Sequence, residues 1–201
     1  MVVETKRAGM ASRRWRWLVA AALLLSSGWA MAADQCPALR GRQGDAEVAI
    51  RIAAIACDEH LRWNRPFIDA DCRLASSAVY EAESRGLQDG GSPWRRVAFY
   101  WQSTGLLSPM ASKSGAIDCN CAINSSYPGL GCRGFVVDNP WSAAFITWVM
   151  QRAGVPGFVS SASHFDYVRA ARSNPARSPY LFLDPMATAP AVGDLLCYVR
   201  T

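Results

Sequence analysis

Apolar side chains at Val48, Ala49, Ile52, Ala53, Ile55 and Ala56 recur at helical spacing and stop at Arg65-Pro66, which predicts a helix with one buried face from Asp45 to about Trp63. Leu74 to Arg85 reads as a second, shorter helix that Gly86 terminates. After the turn Asp89-Gly90-Gly91, Ser92 offers an N-cap hydroxyl and Pro93 suits the first helical position. The helix that follows carries Val97, Tyr100 and Trp101 and ends at Gly105. Residues 108 to 139 hold no lasting period, are dense in Ser, Gly, Asn and Pro, and contain three cysteines, which predicts a stapled loop. Asp138-Asn139-Pro140 opens a helix from Trp141 to Ala153, closed by Gly154 with Pro156 beyond it, and a short helix follows Ser161 to Ser163. Tyr180-Leu181-Phe182-Leu183 and Leu195-Leu196-Cys197-Tyr198-Val199 are short apolar runs bounded by Pro and Gly and read as strands. Helices first and strands last predict an α+β fold rather than alternating βαβ units.

The N-terminus follows a different logic. Lys6, Arg7, Arg13, Arg14 and Arg16 precede the apolar run Leu18 to Leu25, and Ala30-Met31-Ala32 supplies small residues at the positions a signal peptidase reads. The run is shorter than the roughly 20 residues a membrane span needs, so residues 1 to 32 read as a cleaved signal peptide rather than an anchor. Ala33-Asp34-Gln35 before Cys36 does not suit a lipoprotein site. The mature chain is therefore expected to be periplasmic or secreted, with no stable membrane insertion. Cleavage removes five of 21 basic residues and one of 16 acidic ones, so the net charge falls from +5 to 16 against 15, or +1. No basic stripe remains for nucleic acid, which is excluded as a partner.

The seven cysteines all follow residue 32, which in an exported chain reads as a disulfide framework with one thiol left over. Cys36, Cys57, Cys72, Cys119, Cys121 and Cys132 are expected to form three bridges, leaving Cys197 free. Cys119-Asn120-Cys121 with Cys132 is poor chelate spacing for zinc, and no His-Glu-x-x-His motif occurs; no metal site and no cofactor are expected.

Asn139-Pro140-Trp141-Ser142-Ala143-Ala144-Phe145, followed by Ala153-Gly154-Val155 and later by Gly193-Asp194-Leu195-Leu196, resembles the papain-like cell-wall hydrolases of the NlpC and CHAP type. In those families a helix begins with a Trp-Cys-Ala-Ala-Phe-like run, and a later Gly-Asp-Leu marks the first core strand. The chain resembles more closely the bacterial family called domain of unknown function 2272, in which the Cys position is commonly Ser. The likeness covers about residues 93 to 201. With residues 1–32 read as a signal peptide and 33–92 as a helical N-terminal region, the likeness implies a papain-like domain at 93–201 truncated after its first core strand. It also implies a peptidoglycan amidohydrolase or peptidase, with peptidoglycan or another cell-envelope component as partner. A non-catalytic periplasmic binding or scaffold domain is the alternative.

A nucleophile in the first turn of a helix sits where free backbone N–H groups favour an anion, and Ser142 occupies that place. Ser142 is read as a nucleophile position that is not hydrolytically competent, with ordinary helix-end chemistry as its other reading. His164 is read first as a structural histidine tying down a loop and second as a base for Ser142. His60, beside Asp58 and Glu59, reads as a solvated surface residue. Trp94, Trp101, Trp141 and Trp148 could line a carbohydrate groove, but aromatic residues at helical spacing favour core; Trp141, next to Ser142, is the candidate substrate contact. The Gly-x-Ser-x-Gly elbow is absent. The family's catalytic histidine follows Gly-Asp-Leu on a strand that this sequence does not contain, so hydrolysis of peptidoglycan is expected at no more than background rate.

Overall fold

A computed structural model describes residues 36–69, 73–76, 79–82, 85–124, 126–184 and 186–197, all within the unit Cys36–Thr201. The expected signal peptide and cleavage site, and Cys72, lie outside the described residues.

The elements run α1 (Cys36–Leu39), a 3-10 turn at Arg42–Gly44, α2 (Val48–Arg62), β1 (Phe67–Ile68), β2 (Leu74–Ser76), α3 (Pro93–Ser103), a 3-10 helix at Ile117–Cys121, α4 (Leu130–Asp138), α5 (Ser142–Arg152) and α6 (His164–Ser173). Three of these follow the apolar pattern closely. Helix α2 buries Ile52, Ala54 and Ile55; α3 starts at Pro93 and buries Val97, Tyr100 and Trp101; α5 buries Ala144, Trp148 and Met150. Both α3 and α5 end in the same left-handed glycine cap. Leu106 N–H bonds Trp101 O and Gly105 N–H bonds Gln102 O, while Val155 N–H bonds Met150 O and Gly154 N–H bonds Gln151 O. Helix α5 packs on both α2 and α3, and α3 also packs on α4. Arg51 of α2 donates from Nε to Ala153 O at 2.7 Å, placing a cation at the carbonyl end of α5.

The α+β papain-like core is not what forms. The fold is helical, and the only strands among the described residues are β1 and β2, a short antiparallel pair joining Phe67 to Ser76 and Ile68 to Leu74. Leu74–Ser76 thus forms a strand where the helix expected from Leu74 to Arg85 would begin, and residues 79–82 are not helical. Asp69 explains why: its carboxylate accepts from Arg73 N–H at 2.9 Å and its own N–H reaches Arg73 O at 2.9 Å, so local turn chemistry outcompetes helix formation. Among the described residues, neither run expected as a strand pairs with another strand. Residues 181–184 and 194–197 carry no regular structure, Leu181 and Leu196 are largely exposed, and 198–199 lie outside the described residues. Gly193, expected to lead a strand, sits instead in a turn with φ +92°. It comes so close to α2 that an added Cβ would stand 2.7 Å from Ala49 Cα.

Residues 108 to 139 contain more order than a loop. Helix α4 packs on α3 and on the 3-10 helix, and the Cys119–Cys132 disulfide joins α4 to the 3-10 helix. The glycines that read as breakers serve close approach: a Cβ on Gly115 (φ +77°) would stand 2.0 Å from Gly131 O.

Cys36 pairs with Cys57 and Cys119 with Cys132, but Cys121 is a free, exposed thiol rather than part of a third bridge, as is Cys197. In a 3-10 helix each residue turns the chain by about a third of a revolution, so Cys121 points away from the face on which Cys119 meets Cys132. Among the described residues no helix is long and apolar enough to cross a membrane.

Candidate functional site: a Ser142–His164 pair at the start of a helix

Chain direction sets the position of Ser142. Asn139 is extended, as the residue before a proline prefers, and its side-chain amide donates to Phe135 O at 2.8 Å, closing α4. Pro140 then leads into Trp141, and Ser142 becomes the first residue of α5. The first intrahelical bond runs from Phe145 N–H to Trp141 O at 3.0 Å. The N–H groups of Ser142, Ala143 and Ala144 precede it and have no acceptor within the helix.

Trp141 holds this helix start against the core. Its ring stacks on Trp63 at 5.3 Å and on Tyr100 at 6.0 Å, and Trp63 Nε1–H donates to Tyr100 Oη at 2.9 Å. The Tyr100 hydroxyl in turn donates to Glu59, which is 3% exposed and is clamped by both Nε (3.0 Å) and Nη2 of Arg96. Burial and the neighbouring Glu59 carboxylate together raise the Tyr100 hydroxyl well above the ordinary phenol range, so it stays a donor. Trp141, expected to touch substrate, thus has a packing role beside Ser142, while Trp94, Trp101 and Trp148 are buried.

His164 is the first residue of α6, and its Nε2 lies 2.8 Å from Ser142 Oγ. The two side chains are exposed where they meet. A buried clasp brings them together. Thr147 of α5 is fully buried, its Oγ1 donates to Ser161 O at 3.0 Å, and it lies 2.6 Å from the hydroxyl of Tyr167 on α6. The same Tyr167 hydroxyl lies 2.9 Å from Ala143 O, and its ring meets His164 edge-on with centroids 5.9 Å apart. Ser161 Oγ donates to Asp166 at 2.6 Å and accepts from Ser163 N–H at 3.0 Å, which fixes the entry to α6.

Partial burial lowers the pKa of His164 from its ordinary value, which favours the uncharged ring. With its proton on Nδ1, such a ring accepts the Ser142 hydroxyl proton at Nε2. Among the described residues no carboxylate bonds the other ring nitrogen. The geometry therefore brings together a hydroxyl, an imidazole nitrogen and three backbone N–H groups at the adjacent helix end.

The pairing of Ser142 with His164 was legible only as the lesser of two roles for His164. His60, expected to be solvated, is half-buried, with Nε2 2.9 Å from Pro66 O. The buried Glu59–Arg96–Tyr100 network carried no signal in the sequence beyond its helical positions.

The model of the family described as "Uncharacterized protein conserved in bacteria (DUF2272)" matches residues 88–201. The chain belongs to this family. The match contains α3, α4, Ser142, His164 and the clasp between α5 and α6, and begins after α2, which supplies Glu59 and Trp63. No curated protein and no solved structure matches the chain.

Proposed function

We propose that this member of DUF2272 is an exported, slow acyl hydrolase of the cell envelope in which Ser142 is the nucleophile and His164 the general base. The 2.8 Å contact between Ser142 Oγ and His164 Nε2 carries this reading. In the reaction, Ser142 Oγ attacks the carbonyl carbon of an ester or amide as its proton passes to His164 Nε2. The carbonyl oxygen then bears the negative charge, and in this reading the N–H groups at the start of α5 donate to it. Collapse transfers that proton from the imidazolium to the leaving oxygen or nitrogen and leaves an acyl-serine. Water, deprotonated by the same imidazole, releases the acid and restores the hydroxyl.

The exposed site admits a polymeric substrate, and peptidoglycan peptide and amide bonds are the proposed target. The two disulfides and the N-terminal signal pattern support an extracytoplasmic location. Slow turnover follows because, among the described residues, no carboxylate orients the imidazole: loss of the orienting carboxylate costs on the order of 10⁴ in kcat in serine triads. The test is hydrolysis of purified peptidoglycan and of a p-nitrophenyl ester by wild type, Ser142→Ala and His164→Ala. Turnover above blank in wild type alone supports the reading. Equal rates in all three proteins refute it.

A further inference from the structure

A second site lies on the α2, α3 and α5 faces, built from residues the dyad does not use. It is a cleft of about 490 Å³, within the range of roughly 300–1,000 Å³ usual for small-molecule sites. Its floor is the Glu59–Arg96 pair. Arg96 uses Nε and Nη2 on Glu59, and its guanidinium stacks 4.6 Å from the Phe99 ring centroid and 5.0 Å from that of Trp148. Nη1 of Arg96 makes no hydrogen bond to any described residue and remains a donor in a group that lines the cleft.

The walls consist of interlocked planar polar groups. On one side Gln43 donates to Asp58 and accepts from Arg152 Nη2 at 3.3 Å; on the other Arg62 pairs with Asp89 and approaches Glu59 at 3.3 Å, next to Gln88. Ile55, Phe99 and Trp148 add apolar surface.

Two features decide what fits. Three guanidinium groups face three carboxylates, so the cleft has no net charge to draw a phosphate, a nucleotide or a free cation. The polar groups are also held before any ligand arrives, and they alternate donor and acceptor around an apolar wall. That pattern complements a ring whose edge carries adjacent hydroxyls and whose face carries C–H groups. Stability does not explain the arrangement, because a buried ion pair contributes little that a well-packed apolar pair would not.

We propose that this cleft binds a neutral saccharide, with Arg96, Arg152 and Gln88 donating to ring hydroxyls, Asp58 and Asp89 accepting from them, and Phe99 against the ring face. The proposal does not depend on the Ser142–His164 reading, since binding would persist in Ser142→Ala.

The test uses the full oxidised chain and saturation-transfer NMR with maltotriose and an N-acetylglucosamine trimer, and with diglycine and inorganic phosphate as charged alternatives. Saturable transfer is expected from at least one trisaccharide, with affinity weakened about tenfold or more by Arg152→Ala or Gln88→Ala. Both residues are exposed, so these variants retain the thermal midpoint of the wild type. No transfer from either sugar to folded wild type overturns the proposal. So does binding indifferent to both substitutions, or displacement of the sugar by diglycine or phosphate.

Discussion

Replacing Arg96 by Ala removes the main partner of a carboxylate that is 3% exposed. Glu59 keeps the Tyr100 hydroxyl and the Arg62 guanidinium at 3.3 Å, which soften the loss but do not restore a bidentate pair. Breaking a buried ion pair from one side typically costs about 3–5 kcal/mol, and with two partners left we place Arg96→Ala at the lower end, about 3 kcal/mol. The lost stem also uncovers the Phe99 and Trp148 rings on which it lies. For a chain of this size each kcal/mol shifts the thermal midpoint by roughly 2–4 °C, so a fall of about 6–12 °C is expected by calorimetry. The double variant Glu59→Leu with Arg96→Met is expected to cost less than Arg96→Ala alone, because it leaves no unpaired charge. A loss below about 1 kcal/mol in Arg96→Ala, or a double variant worse than the single one, would refute the reading of Arg96 as the main partner of buried Glu59.

Other outcomes follow from the same geometry. Hydrolysis by the wild type is expected to rise with pH as His164 loses its proton. Burial places that midpoint below the ordinary imidazole value of 6.5, so the rate is flat above neutrality; a midpoint above 6.5 in the pH–rate profile contradicts a neutral base. Tyr167→Phe is expected to lower stability by about 1 kcal/mol in urea titration and to slow turnover without altering the nucleophile, since the clasp to Thr147 is lost. Gly115→Ala places a Cβ 2.0 Å from a backbone oxygen at φ +77° and is expected to cost about 1–3 kcal/mol. Gly105→Ala, at φ +75° with open space around it, should cost no more than about 1–2. Alkylation without reduction, followed by peptide mapping, is expected to modify Cys121 and Cys197 and to leave Cys119 linked to Cys132.

The sequence made legible those elements whose causes are local. Pro93 and Pro140 before a 3.6-residue apolar period, and Gly105 and Gly154 after it, locate α3 and α5, because proline and left-handed glycine act within a few residues. Elements decided by distant partners were not legible. Leu181 to Leu183 has strand-like composition, but a strand exists only where another pairs with it. Helix α4 carries Gly131 and Gly134 and looks like a loop until the 3-10 helix at Ile117–Cys121 packs on it and the Cys119–Cys132 bridge ties it down. Ser142 was recognisable from its neighbours Trp141 and Ala143, whereas its bond to a histidine 22 residues on depends on Thr147, Ser161 and Tyr167 closing the loop between them. A buried threonine and a tyrosine hydroxyl carry no sequence signal that they will meet.

Peptide mass mapping after treatment with a fluorophosphonate tests the dyad most directly, because the reagent reports the nucleophile without requiring knowledge of the substrate. The account predicts a phosphonyl adduct on the peptide containing Ser142, formed at least about 10²-fold more slowly in His164→Ala and absent in Ser142→Ala. Folded wild-type protein that acquires no adduct at Ser142, or that labels there as fast without His164 as with it, would contradict the account.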